Sequence, residues 1–294
     1  MSVSRATSPG AIVSLVLKEI RVEHTLFALP FAYVGAVFAA RGLPTLFQFV
    51  WITLAVLGAR TAAMAANRYI DRDIDAQNPR TARRALANGS LAPGVMLGVA
   101  IAGIVLLVVS AALLNPLCLR LLPLAAIGIF AYPFCKRFTW GVHFVLGAVD
   151  GFAPLGAYVA VSGTISISAV LLFVAVTLWV AGFDVIYALM DRDVDLAQNI
   201  RSIPARFGVA RGRALPIAMH VAMAVVLVIA GILASVGPLY YAGAAFGVAL
   251  AIYEMRLIDR AENVFVLNER VFIGNMVFSL AFLATTYAGF AFHT

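Results

Sequence analysis

Residues 168–195 read SAVLLFVAVTLWVAGFDVIYALMDRDVD. Within 168–190 the only charged side chain is Asp184; then Asp191, Arg192, Asp193 and Asp195 follow in quick succession. An α-helix rises 1.5 Å per residue, so the apolar part reaches about 35 Å, against roughly 30 Å of bilayer hydrocarbon. The stretch is a membrane-spanning helix that turns charged where it meets water. Eight further apolar runs have similar character, at 22–40, 46–69, 94–114, 117–134, 142–161, 215–235, 238–255 and 272–291. The fold class is therefore all-α, a polytopic membrane protein with nine transmembrane helices.

Composition agrees. Of 294 residues, 63% are hydrophobic and 12% charged, about half the charge of an ordinary soluble domain. The formal charge is +7, but the cations lie between spans. No basic helix with interleaved aromatics is present, so nucleic acid is not a partner and the lipid bilayer is. Cys118 and Cys135 stand at opposite ends of one apolar run, too far apart to pair if the run is helical. The start of the chain lacks a small-residue cleavage site, so the first span is expected to act as an uncleaved insertion signal. No linker or low-complexity tract interrupts the chain, which reads as one domain over 1–294, with 1–19 a short N-terminal cytoplasmic segment.

Charge also orients the spans. With nine spans, the loops 71–93, 135–141, 191–214 and 256–271 share one side; among their cations are Arg72, Arg80, Arg84, Lys136, Arg137, Arg192, Arg201, Arg206, Arg256 and Arg270. The other side has little beyond Arg41 and Arg120. The rich side is expected to be cytoplasmic, placing the N-terminus inside.

Two aspartate clusters close spans on that rich side. In the first, Asn67, Asp71 and Asp75 are spaced by four; in the second, Asp184, Tyr187, Asp191 and Asp195 step by three, four and four. Each set shares one helical face. Carboxylates near hydrocarbon need a partner or a function. Two opposed faces of oxygen donors suit Mg²⁺ held between carboxylates and a diphosphate. Such a metal would stabilise the charge on a departing diphosphate, and aromatic walls would shelter an allylic cation from water. The plainer reading makes the aspartates interfacial helix ends paired with neighbouring arginines; duplicated spacing at matching span ends argues against it. Asp73 and Asp193 fall off these faces and read as structural groups or as groups outside the metal's direct ligands.

The cations admit two readings each. Arg21 is a topology anchor or a phosphate clamp. Lys136 and Arg137, after Tyr132-Pro133-Phe134, are anchors or grip a diphosphate opposite the metal. Arg68 can point either way. Arg60 lies inside a span and needs a partner; Asp150 is that partner or a cavity-lining group. His24 and His143 read as structural, since no His/Cys cluster has zinc spacing. Glu254 and Arg256, which end span eight, read as interface anchors.

These motifs resemble the UbiA superfamily of intramembrane aromatic prenyltransferases. Its Asn-x-x-x-Asp-x-x-x-Asp motif matches Asn67, Asp71 and Asp75, and its Asp-x-x-x-Asp motif matches Asp191 and Asp195, here preceded by Asp184 and Tyr187. The resemblance runs from about residue 20 to the end. It implies a helical bundle around a central cavity under a cytoplasmic cap, and Mg²⁺-dependent transfer of a polyprenyl chain from its diphosphate to an aromatic acid. By that likeness Asn67, Asp71, Asp75, Asp191 and Asp195 hold the metal. Arg21, Arg68, Lys136, Arg137, Asp184 and Tyr187 contact substrate, and Tyr132 faces the reacting carbon. The stretches 23–32, 182–188 and 202–208 look like the branches acting on 4-hydroxybenzoate and, still more, on 1,4-dihydroxy-6-naphthoate in the futalosine route to menaquinone. Acceptors such as haem or chlorophyllide are the alternative within the superfamily. A membrane transporter is the rival from another class, opposed by the placement of both clusters at span ends rather than at mid-membrane.

Overall fold

A computed structural model describes residues 5, 7–21, 25–78, 81–260 and 264–292. Glu23, His24 and Arg80 lie outside the described residues. The chain forms α1 (Pro9–Ile20), α2 (Thr25–Ala40), α3 (Leu46–Gln77), α4 (Pro93–Leu114), α5 (Pro116–Cys135) and α6 (Val142–Ser162). It continues as α7 (Ile167–Met190), α8 (Arg192–Ala197), α9 (Ile203–Leu233), α10 (Pro238–Arg260) and α11 (Val264–Ala291). Eight of these helices are long and apolar enough to cross a membrane; α2, whose apolar part is Phe27–Ala40, is shorter.

Among the described residues the nine apolar helices overlap the hydropathy runs, but α10 runs on to Arg260 and α11 starts at Val264, beyond the runs 238–255 and 272–291; three further differences stand out. α3 continues through the first aspartate cluster to Gln77. α9 starts at Ile203, twelve residues before its apolar run. Helices α1 and α8, which have no spanning run, go beyond the nine. α9 bends at Gly208, whose φ of 81° and ψ of 171° separate a short cap-side segment from the membrane segment. That backbone region is essentially restricted to glycine.

Successive membrane helices pack side by side from α2 to α11, omitting α8, and α11 returns to α2 to close the ring. Short contacts between helices are set by small residues. At the α3–α4 crossing a Cβ on Gly58 would come within 2.7 Å of the Gly103 carbonyl. The C-terminal half is filled by aromatics centred on Trp179, whose ring lies 4.5 Å from those of both Phe27 and Phe31. Outward-facing Ile101, Ile127 and Ile232 are 58%, 64% and 62% exposed, a surface suited to lipid rather than water. Several termini are capped by side chains. Thr45 and Gln48 form a reciprocal capping box on α3, and Ser166 and Ser202 cap α7 and α9, satisfying N–H groups that a helix leaves open.

Candidate active site

The last turns of α3 carry Asn67, Asp71 and Asp75 in a row, as the spacing of four requires. Asp71 is buried at 2% exposure. Its Oδ2 accepts from the Asn67 amide at 3.0 Å and meets Lys136 Nζ at 2.6 Å. Its Oδ1 is buried without a hydrogen-bond partner among the described residues, with Arg137 Nη2 at 3.8 Å. Arg137 also donates to the Ile70 carbonyl at 3.1 Å, which pins the α5–α6 turn to α3. Asp75 is held by Arg84 at 2.6 Å, and its carbonyl accepts from Thr81 Oγ1 at 2.9 Å. The loop after α3 therefore folds back on the cluster that precedes it.

The second cluster surrounds the α7–α8 junction. Asp191 ends α7 and opens α8, and Asp195 lies buried one turn on. Ser202 Oγ donates to Asp195 Oδ2 at 2.8 Å while accepting from the Ala205 N–H as the cap of α9. Loss of hydration is the main cause that pushes the Asp195 carboxyl up to about 6, with Asp191 adding; the Ser202 hydrogen bond and the Lys136 charge oppose it. Asp184, one turn above Tyr187, binds His143 Nδ1 at 2.6 Å. Tyr187 packs edge-on against Phe183 at 5.9 Å.

The turn between α5 and α6 joins the two clusters. Lys136 grips Asp71 on one side, and its charge also acts on Asp195. From the second loop the Arg201 N–H donates to the Lys136 carbonyl at 2.8 Å, and its guanidinium donates to the Phe138 carbonyl at 2.7 Å. Tyr132, one turn before Lys136, lies in the field of Asp184, Asp71 and Asp150. Among the described residues, no group of three or more His, Cys, Asp or Glu side chains is placed to hold a metal by itself.

The remaining candidates sort by partner. Arg68 is buried, its Nε donating to the Glu19 carbonyl at 3.2 Å and lying 3.5 Å from the Glu19 carboxylate; it ties α1 to α3. Arg21 ends α1 at a left-handed φ of 45° and is exposed. Asp73 and Asp193, exposed at 81% and 95%, pair with the adjacent Arg72 and Arg192. Cys118 and Cys135 are free thiols. Glu254, read from sequence as an interface anchor, is instead fully buried and bonded to the Asn275 amide. The hydropathy run ends near it, but α10 continues beyond and carries it inside the bundle. Arg60 is paired with Asp150 at 3.3 Å, and both line an apolar cavity of about 140 Å³ between α2, α3, α4, α5 and α6. Among the described residues, Arg60 Nε is buried there without a hydrogen-bond partner.

Sequence reasoning missed Ser202, Arg84 and the engagement of His143. Ser202 alone left a trace, as a serine just ahead of Ile203-Pro204, a helix-start pattern. The partners of His143 and Arg84 are set by helix packing and loop return.

Residues 28–276 match the model of the UbiA prenyltransferase family. The 4-hydroxybenzoate octaprenyltransferase of Alkalilimnicola ehrlichii is 37% identical over 249 residues, covering 82% of this chain and 81% of that protein. The enzyme of the same name from Shewanella halifaxensis is 35% identical, covering 81% and 83%. The apo structure of a UbiA homologue from Aeropyrum pernix K1 superposes with a TM-score of 0.77 at 36% identity, covering 92% of this chain and 97% of that one. A UbiA homologue from Archaeoglobus fulgidus, solved with GPP and Mg²⁺, shares the fold at a TM-score of 0.71 and 18% identity, covering 94% and 99%. With the nine-helix ring and the paired aspartate clusters, these likenesses make the chain a member of the UbiA prenyltransferase family, a multi-pass membrane enzyme that transfers prenyl groups.

Proposed function

We propose that the protein transfers a polyprenyl chain from polyprenyl diphosphate to a ring carbon of an aromatic hydroxy acid, with 4-hydroxybenzoate the first candidate acceptor. The observation that carries this reading is the 37% identity to a 4-hydroxybenzoate octaprenyltransferase over four-fifths of both chains. The site is consistent with it. In the reaction the bond between prenyl C1 and the bridging oxygen breaks, a ring C–C bond forms, and the ring loses a proton as diphosphate departs.

The donor set fits Mg²⁺. It is all oxygen, and it is divided between two clusters, as expected for a cation that takes one or two carboxylates and completes its shell with substrate phosphates. Asp71 Oδ1, which accepts no hydrogen bond among the described residues, is a donor of the right kind. Asn67, Asp71, Asp191 and Asp195 would hold the metal, with Asp75 steadied by Arg84 beside them. Bound there, Mg²⁺ would supply charge neutralisation to the leaving diphosphate. Lys136 and Arg137 would take phosphate oxygens from the α5–α6 turn. Arg60 in its apolar cavity would offer Nε–H, which has no acceptor among the described residues, to a carboxylate, which an aromatic acid acceptor carries. Tyr132, among the three carboxylates, would face the reacting carbon. The cap faces the cytoplasm by the positive-inside rule.

A second acceptor, 1,4-dihydroxy-6-naphthoate, is favoured by the stretches Gly182–Ala188 and Ser202–Gly208. Separate reactions with each acid and one labelled long-chain prenyl diphosphate decide between them. Product from 4-hydroxybenzoate alone supports the first assignment; product from the naphthoate alone replaces it with the second.

A further inference from the structure

His143 sits in the first turn of α6, 2% exposed and outside both aspartate motifs. Both of its ring nitrogens are committed. The backbone N–H of Ile203 donates to Nε2 at 3.1 Å. Nε2 therefore presents a lone pair, and the ring proton is on Nδ1, where it donates to Asp184 Oδ2 at 2.6 Å. This fixes the tautomer by hydrogen bonding rather than by assumption. A ring protonated on both nitrogens would lose the Ile203 bond.

Ile203 is the first residue of α9, and the residue before it, Ser202, donates to Asp195. The start of α9 thus holds the second cluster at two points: Asp195 directly through Ser202, and Asp184 through His143. Asp184 is 24% exposed on its side chain, so one carboxylate face is gripped while the group remains accessible. We propose that His143 is a positioning residue that holds Asp184 in its site-facing pose and keys that pose to the aspartate pair carried by α7 and α8. The inference rests on the prenyltransferase reading of this site and adds to it a residue that the aspartate motifs do not contain.

The test is a double-mutant cycle on the detergent-purified protein. His143→Phe keeps a ring and removes both hydrogen bonds. It is expected to lower kcat/KM for prenyl transfer by on the order of 10- to 100-fold, the effect of one hydrogen bond to a charged group. Asp184→Asn is expected to lower it comparably, and the double variant should be no worse than Asp184→Asn alone, because the histidine acts through that carboxylate. His143→Gln supplies an amide N–H for Asp184 and a carbonyl for Ile203, and is expected to restore most of the loss. Affinity for a non-reacting thiodiphosphate analogue with Mg²⁺, measured by calorimetry, should follow the same pattern. Multiplicative losses in the double variant, or no recovery in His143→Gln despite wild-type melting behaviour, overturn the positioning role. Absence of wild-type turnover with every aromatic acid overturns the underlying reading, and this inference with it.

Discussion

Replacing Lys136 with methionine separates its two roles. Lys136 Nζ lies 2.6 Å from Asp71 Oδ2, and Asp71 is 2% exposed. Removing one partner of a buried pair costs about 3–5 kcal/mol, since the other charge is stranded. Here the penalty is smaller. The Asn67 amide at 3.0 Å and the Arg137 guanidinium at 3.8 Å remain, and the lysine side chain is 22% exposed, so water reaches the gap. The expected loss of stability is about 1–3 kcal/mol, read as a lower melting temperature in detergent. If Lys136 also takes a phosphate oxygen during turnover, KM for prenyl diphosphate rises about 10- to 100-fold, the value of a hydrogen bond to a charged group. Lys136→Arg keeps the charge but changes the geometry from point to fork; it should retain stability and recover KM only in part. The assay is Mg²⁺-dependent prenyl transfer in lipid at varied prenyl diphosphate, beside thermal melts. A methionine variant with lowered melting and unchanged KM would refute the phosphate role and leave Lys136 as an anchor for Asp71.

Further outcomes follow from neighbouring contacts. Asp195 titrates near 6 in the metal-free fold, above an ordinary aspartate. It therefore contributes stability below about pH 4 that is lost as pH rises through about 6, on the order of 3 kcal/mol, visible in Mg²⁺-free melts against pH. Because Mg²⁺ binds the carboxylate form, metal-dependent turnover should fall as pH drops through about 6. Ser202→Ala removes a hydrogen bond to the charged form and should move that acidic limb upward; an unmoved limb separates Asp195 from the reaction. Gly208→Ala forces a side chain into φ 81°, ψ 171°, at about 1–3 kcal/mol; it should lower both melting temperature and kcat by displacing the cap end of α9, and an unchanged melt contradicts this. Glu19→Ala strips Arg68 of its carboxylate and the Ala85 N–H of its acceptor at 2.5 Å; about 2–4 kcal/mol of stability should go, with protease sensitivity appearing in residues 9–20.

The apolar helices were legible because hydrocarbon imposes one length and one composition on each span. α1 and the first turns of α9 were not. Both are short or basic, and their helicity depends on what they pack against: Ile12, Leu15 and Val16 of α1 lie on the α3–α4 face, and α9 is started by Ser202 and bent by Gly208. In the site, the four-residue spacing was readable since it follows from helix geometry alone. The pairing of Arg60 with Asp150 was one of two open alternatives, and it proves to be both pair and cavity wall. Arg68, equally open, is turned to Glu19 of α1. Contacts between residues distant in sequence, such as His143 with Asp184 and Arg201 with the Lys136 carbonyl, depend on the packing of α5, α6, α7 and α9 and leave no local pattern.

The decisive assay gives purified protein in lipid a labelled long-chain prenyl diphosphate and 4-hydroxybenzoate or 1,4-dihydroxy-6-naphthoate, with and without Mg²⁺. Mg²⁺-dependent prenylated product is expected with one of the two acids, and its loss in folded Asp71→Asn and Asp191→Asn variants. Wild-type turnover in either variant, or no product from any aromatic acid, would contradict the proposed reaction.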